Sequence, residues 1–118
     1  MSTVPGEVCE VIITGPDETW LLNFTRRLVD ARLVACGHHT PIRSIYKWAD
    51  KVHDERETRV ALHTRTSCVP AIIAATNGQH LYQVPCVIAL PITQANPAYR
   101  DWILDNTQNP TEPDHAGL

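Results

Sequence analysis

No two of the four cysteines, Cys9, Cys36, Cys68 and Cys86, stand in a C-x-x-C pair, so neither a zinc knuckle nor a thioredoxin-like centre is signalled. No apolar run reaches the roughly 20 residues that a membrane-spanning helix needs. The opening MSTVPGEVCE has neither the basic head nor the apolar body of a signal peptide. A cytoplasmic protein with reduced thiols is the expectation. Positive charge is not in excess: 10 Lys and Arg against 13 Asp and Glu leave a formal net charge of -3. That gives no electrostatic reason to expect nucleic acid, and no membrane partner is expected either. Glycine-rich phosphate loops are missing, and Ser44, though near histidines in the sequence, has no motif that would make it nucleophilic. No residue repeat is visible.

What remains is an ordinary globular composition. The 118 residues, 43% hydrophobic and 19% charged, make one domain able to bury a single core. VCEVIIT, residues 8–14, has the β-branched content of a first strand. Gly15-Pro16 breaks it, and Asp17 caps a helix over 17–35 whose buried stripe is Leu21, Phe24, Leu28 and Ala31. Residues 37–48 suit an extended segment, turned by Ala49-Asp50-Lys51. In the return strand Thr58, Val60, Leu62 and Thr64 share one face, and Glu57, Arg59, His63 and Arg65 the other.

Ser67 is expected to cap a second helix, with Val69, Ile72, Ile73 and Thr76 inward, Pro70 in its first turn and Gly78 at its end. VPCVIALPI, residues 84–92, is apolar on both faces and predicts a strand buried inside a sheet. Asn96-Pro97 starts a last helix bearing Tyr99, Trp102 and Ile103. Residues 1–107 thus form the domain, and the tail 108–118, without periodicity, is expected to be mobile.

The order is βαββαβ with a short C-terminal helix. It implies an α+β, ferredoxin-like two-layer sandwich: four antiparallel strands with helices on one face. The other face has no helix to cover it, and apolar area there calls for a partner, the simplest being another copy of the chain.

The run RLVACGHHTPIRSIYKWADKVHDERE, followed by ALHT, HLYQVPCVIALPI and YRDW, resembles the CutA divalent-cation-tolerance family. Matches run in order from about Val11 to Trp102, and several blocks in register make the likeness specific. The resemblance implies a compact, non-enzymatic homotrimer joined through its sheets, with clefts between subunits and a capacity to bind copper and other divalent cations. The chain departs from the family where metal is concerned. Many members read H-P-Y and place a glutamate after the following proline; here the stretch is His80-Leu81-Tyr82 and the glutamate position holds Cys86. Ile13 stands where metal-binding members carry a cysteine, Gln79 replaces a histidine, and Asp50 replaces a turn glycine.

His80 and Cys86 are therefore the candidate metal ligands, for a divalent or cuprous ion, since imidazole and thiolate suit copper. Against that, His80 fits as a helix-end residue and Cys86 as a small packed side chain. Two ligands make at most a weak site. His38 and His39, if on a strand, face opposite ways and cannot share an ion; in a loop they could. His63 is expected to be a paired histidine on the polar face, and His115 a solvated one. Tyr46, Trp48, Tyr82 and Trp102 are candidates to line an inter-subunit cleft or interface. Two further readings stand beside the first. A trimeric module similar to the PII proteins would bind nucleotide in such clefts, but lacks a phosphate loop here. An acylphosphatase-like enzyme would need a basic loop after the first strand, where Gly15-Pro16-Asp17-Glu18 stands instead.

Overall fold

The computed structural model describes residues 7–108, and these form a four-stranded antiparallel sheet with helices. The elements are β1 (Val8–Gly15), α1 (Glu18–Asp30), β2 (Cys36–Trp48), β3 (Lys51–Arg65), α2 (Val69–Gln79), β4 (Val87–Pro91) and α3 (Pro97–Asp105). This is the βαββαβ order with its extra helix. Across the sheet the strands run β2-β3-β1-β4. β1 and β3 occupy the centre and carry the core.

Alternation along those two strands sorts the side chains. Val11, Ile13, Val60 and Leu62 point to the face covered by α1 and α2, where they meet Leu21, Phe24, Leu28 and Ile72; all are buried. Their neighbours Glu10, Ile12, Ala61 and His63 point the other way. α3 covers one end of that second face, where Ile103 packs with Val8 and Ala35 in a smaller cluster. Arg65 fixes α3 there by donating to the carbonyls of Leu104 (2.5 Å) and Thr107 (3.1 Å), a cation at a helix C-terminus.

Several boundaries differ from expectation for identifiable reasons. Asp17 caps α1 through a 3.1 Å bond from the Trp20 N–H, but the helix stops at Asp30 rather than running to residue 35. Arg32 takes φ 61°, and the Leu33 and Arg32 N–H groups bond back to the carbonyls of Leu28 and Val29 at 3.0 Å each. That is a Schellman ending without glycine, and it frees Leu33 and Val34 to plug the core. The hairpin turn has two residues, Ala49 and Asp50 with φ 53° and 62°, not three. Ser67 does not cap α2. A 3-10 turn over Thr66–Cys68 feeds the helix, whose N-terminus has no side-chain cap. Gly78 lies within α2, and His80 is its C-cap.

The largest correction concerns QHLYQVPCVIALPI. Only Val87–Pro91 is strand, and it is an edge strand: β1 takes the central slot by pairing with both β3 and β4. Ile88 and Leu90 are 52% and 46% exposed on the second face. At the C-terminus the domain reaches one residue further than 107. Gln108 is buried, donating from its backbone to the Arg32 carbonyl (2.8 Å) and from its side chain to that of Ala31 (3.0 Å). Residues 109–118, the rest of the tail expected to be mobile, and His115 with them, lie outside the described residues.

Candidate functional site

Two constellations occupy opposite ends of the second sheet face. The first is a groove of about 790 Å³ at the hairpin end, lined by Tyr46, Trp48, Glu57, Tyr82 and Cys86 among others. The β2–β3 hairpin supplies Tyr46, Trp48 and Glu57; the irregular segment between α2 and β4 supplies Tyr82 and Cys86. Tyr82 donates to Glu57 Oε2 at 2.6 Å, and Tyr46 donates to Glu55. Loss of solvent, then the bond to a carboxylate, pushes the Tyr82 phenol well above its ordinary pKa; for Tyr46 the bond to Glu55 is the first cause of the rise. Both phenols are hydroxyl donors, not phenolates, at neutral pH. Three of the four predicted aromatics meet here. Trp102 does not: it stacks on Tyr99 at 5.6 Å on α3.

His80 stands beside the groove with both ring nitrogens in use. Nε2 lies 2.7 Å from the Thr14 carbonyl, which needs an N–H on that atom, and Nδ1 accepts from the Tyr82 N–H at 2.9 Å. The imidazole staples the end of α2 to β1 and orients the segment that carries Tyr82. Cys86 is an exposed free thiol rather than a packed one.

The second constellation lies at the α3 end, and sequence reasoning passed over it. Cys36, His38 and His63 each offer a ligand atom, and these atoms lie within 4.8 Å of one another. Among the described residues it is the one cluster of three such donors, and His80 and Cys86 are not in it. Strand register builds it. His63 is opposite Cys36 on one side and Glu10 on the other, and His38 follows two residues after Cys36 on the same face. Glu10 Oε2 accepts from His63 Nε2–H at 2.9 Å, which turns Nδ1 toward the Tyr99 hydroxyl at 2.5 Å; that hydroxyl also lies 3.3 Å from Cys36 Sγ. The His38 ring meets the His63 ring edge-on at 5.2 Å. Burial and the neighbouring Cys36 raise the Tyr99 pKa, keeping it a hydroxyl. His63 is thus paired on the less apolar face, as expected of it.

His38 and His39 both lie on β2, so the loop alternative is excluded and the two point to opposite faces. His39 turns toward α1, where its two ring nitrogens are buried without a hydrogen-bond partner. Burial lowers its pKa, with Glu18 working against the shift. The signal for the second constellation was present in the sequence as Cys36-x-His38 on a strand facing His63. Reading it needed the turn length: a two-residue turn sets Cys36 against His63, whereas a three-residue turn shifts the register by one and turns them apart.

Comparison with known proteins agrees with this architecture. The family model described as CutA1 divalent ion tolerance protein matches residues 9–106. Protein CutA of Mus musculus is 37% identical over 107 residues, 90% of this chain and 60% of its own length. The chain therefore spans less than two thirds of that relative. The divalent-cation tolerance protein CutA of Thermus thermophilus is 36% identical over 82% of this chain and 95% of its own. The crystal structure of CutA1 from Oryza sativa superposes with a TM-score of 0.84 at 33% identity, covering 91% of this chain and 98% of that one. With a family match over residues 9–106, nearly all of those described, and relatives above 30% identity that superpose on most of the chain, this chain belongs to the CutA1 divalent ion tolerance family.

Proposed function

We propose that the protein is a non-enzymatic homotrimer that binds cations of the copper type, with its subunits joined through the second sheet face. Membership in a family named for divalent ion tolerance supports the cation, and the incomplete face supports the assembly. The observation that carries the reading is the row of exposed apolar side chains on one sheet. Ile88 and Leu90 on β4, with Trp48 of the hairpin, are all solvent-exposed on this face in the single chain. A chain that buries its other face so completely leaves this area for a partner. Contacts through the hairpin, residues 41–65, and the strand 84–92 would cover it. Four free thiols, Cys86 among them exposed, fit a reducing compartment, and the reading places the protein in the cytoplasm. Among the described residues no helix is long and apolar enough to cross a membrane.

Within this reading His80 and Cys86 make at most a weak site, because an ion must first take His80 from Thr14 or from Tyr82. The alternative, a PII-like module binding a small molecule in the cleft, draws on the groove, whose size falls in the range of ligand pockets. Its lining holds Glu57 and neither lysine nor arginine, which disfavours a phosphate-bearing ligand. Two measurements test the proposal. Sedimentation of the full chain should give three subunits at micromolar concentration; a monomer would overturn the assembly. Calorimetric titration of the reduced, metal-free protein should show heat with cuprous, cupric or zinc ions. Heat with nucleotides alone would transfer the reading to the PII-like class.

A further inference from the structure

We propose that Cys36, His38 and His63 form a cation site for zinc or cuprous copper at the α3 end of the second sheet face. The inference rests on the cation-binding reading and moves its location: the groove lining offers one soft donor, Cys86, whereas three ligand atoms are gathered at the opposite end. One thiolate and two imidazoles are a donor set that borderline and soft d-block ions take in preference to magnesium or calcium. The three ligand atoms already lie within 4.8 Å of one another, close enough for small side-chain rotations to close on one ion.

The surroundings are built as a ligating histidine needs. Glu10 holds His63 by Nε2–H at 2.9 Å, fixing the tautomer so that Nδ1 keeps its lone pair on the side of Cys36. A carboxylate behind an imidazole both orients the ring and raises its basicity as a ligand. Without metal, the Tyr99 hydroxyl bridges His63 Nδ1 and Cys36 Sγ, donating to the first and accepting from the thiol. Entry of the ion replaces that bridge. The Cys36 S–H proton leaves to solvent, a sulfur–metal bond forms, and the tyrosine hydroxyl is released to a fourth position or to water. The strands that present the donors are rigidly paired, so the site is prearranged except for side-chain rotation.

The test uses the full-length reduced protein and cobalt(II), whose bond to a thiolate absorbs in the near ultraviolet, followed by competition with zinc and with cuprous ion held by a chelator. Wild type and Cys86→Ser should both show the thiolate–cobalt absorption. Cys36→Ser should abolish it and weaken zinc by at least tenfold. Glu10→Gln should keep the absorption but weaken the ion about 10–100-fold, as loss of a supporting carboxylate does. Far-ultraviolet circular dichroism separates loss of metal from loss of fold, and His38→Ala, at an exposed position, provides a second ligand deletion with less risk to packing. Absorption that survives in Cys36→Ser and disappears in Cys86→Ser would overturn this site while leaving cation binding intact, in the groove. A wild-type protein that takes up none of the three ions would overturn both.

Discussion

One sheet has two faces, and the chain finishes only one of them. On the first, Val11, Ile13, Val60 and Leu62 meet helices of the same chain and lose all contact with solvent. On the second, Ile12 and Ala61 are nearly buried at the centre, while Ile88 and Leu90 beside them stay half exposed. β4 is apolar on both sides, so its composition does not separate the faces. What separates them is covering: α1 and α2 span the first, while α3 shelters one end of the second. A continuous apolar strand is therefore not evidence of burial within the subunit. It is evidence of burial somewhere, and in the proposed assembly β4 is covered by a second copy.

The sharpest way to break this comparison is to charge the second face. Leu90→Asp should dissociate the proposed trimer, because an unpaired carboxylate buried at an interface costs about 3–5 kcal/mol in each subunit. The first face is self-contained, so the separated subunit should keep its far-ultraviolet spectrum. Sedimentation and circular dichroism on the same sample check both halves. A substituted protein that remains trimeric would show that the second face is not the interface.

The fold was legible because its signals are local. Alternation along 58–65, the Asp17 cap, Pro70 and Asn96-Pro97 each fix one element without reference to the rest. The misjudged elements depend on information carried elsewhere. The end of α1 is set by Arg32 in the left-handed region, where no glycine marks the stop. The place of β4 at the edge is set by which strand pairs with β1, and periodicity says nothing of that. The site divided in the same way. Tyr46, Trp48 and Tyr82 line one groove because aromatics on a hairpin and its neighbouring segment collect at one end. Cys36, His38 and His63 were not joined because a single residue in the turn decides whether they share a face.

A second, smaller test asks how tightly the finished face is closed. Gly37 faces α1 from β2, and a Cβ there would stand 2.7 Å from Thr25 Cγ2, 3.0 Å from Leu62 Cδ2 and 3.1 Å from Val60 Cγ2. Gly37→Ala must push α1 off the sheet and should cost about 1–3 kcal/mol, the usual penalty of overpacking. Gly78→Ala is its counterpart. A Cβ meets nothing within 4 Å there, and the position is helical, so the change should stabilise by about 0.5–1 kcal/mol. Denaturant midpoints of the two variants should move in opposite directions. Equal and small shifts would mean that α1 floats on the sheet rather than locking into it.

The finest distinction concerns His39, the one side chain whose polar atoms the finished face buries without a partner among the described residues. Burial depresses its pKa below the ordinary 6.5, so the folded protein holds it neutral where the unfolded chain takes a proton. The sign follows from linkage. Well above pH 6.5 neither state binds the proton, and stability does not respond to this group. As pH falls from there toward the folded pKa, unfolding takes up a proton and stability drops; below the folded pKa the loss is complete. His39→Leu removes the unpartnered nitrogens and the titration together. At about pH 7 it should stabilise by about 1 kcal/mol, since an unsatisfied buried polar group costs that much or more. Its advantage over wild type should then widen as pH is lowered to about 5, a range that brackets the ordinary histidine pKa. Urea unfolding of both proteins at each pH measures the difference directly, and effects of other titrating groups cancel in it. An advantage that stays constant with pH would mean that His39 keeps its ordinary pKa, and with it that the first face is wetter beside β2 than at its centre.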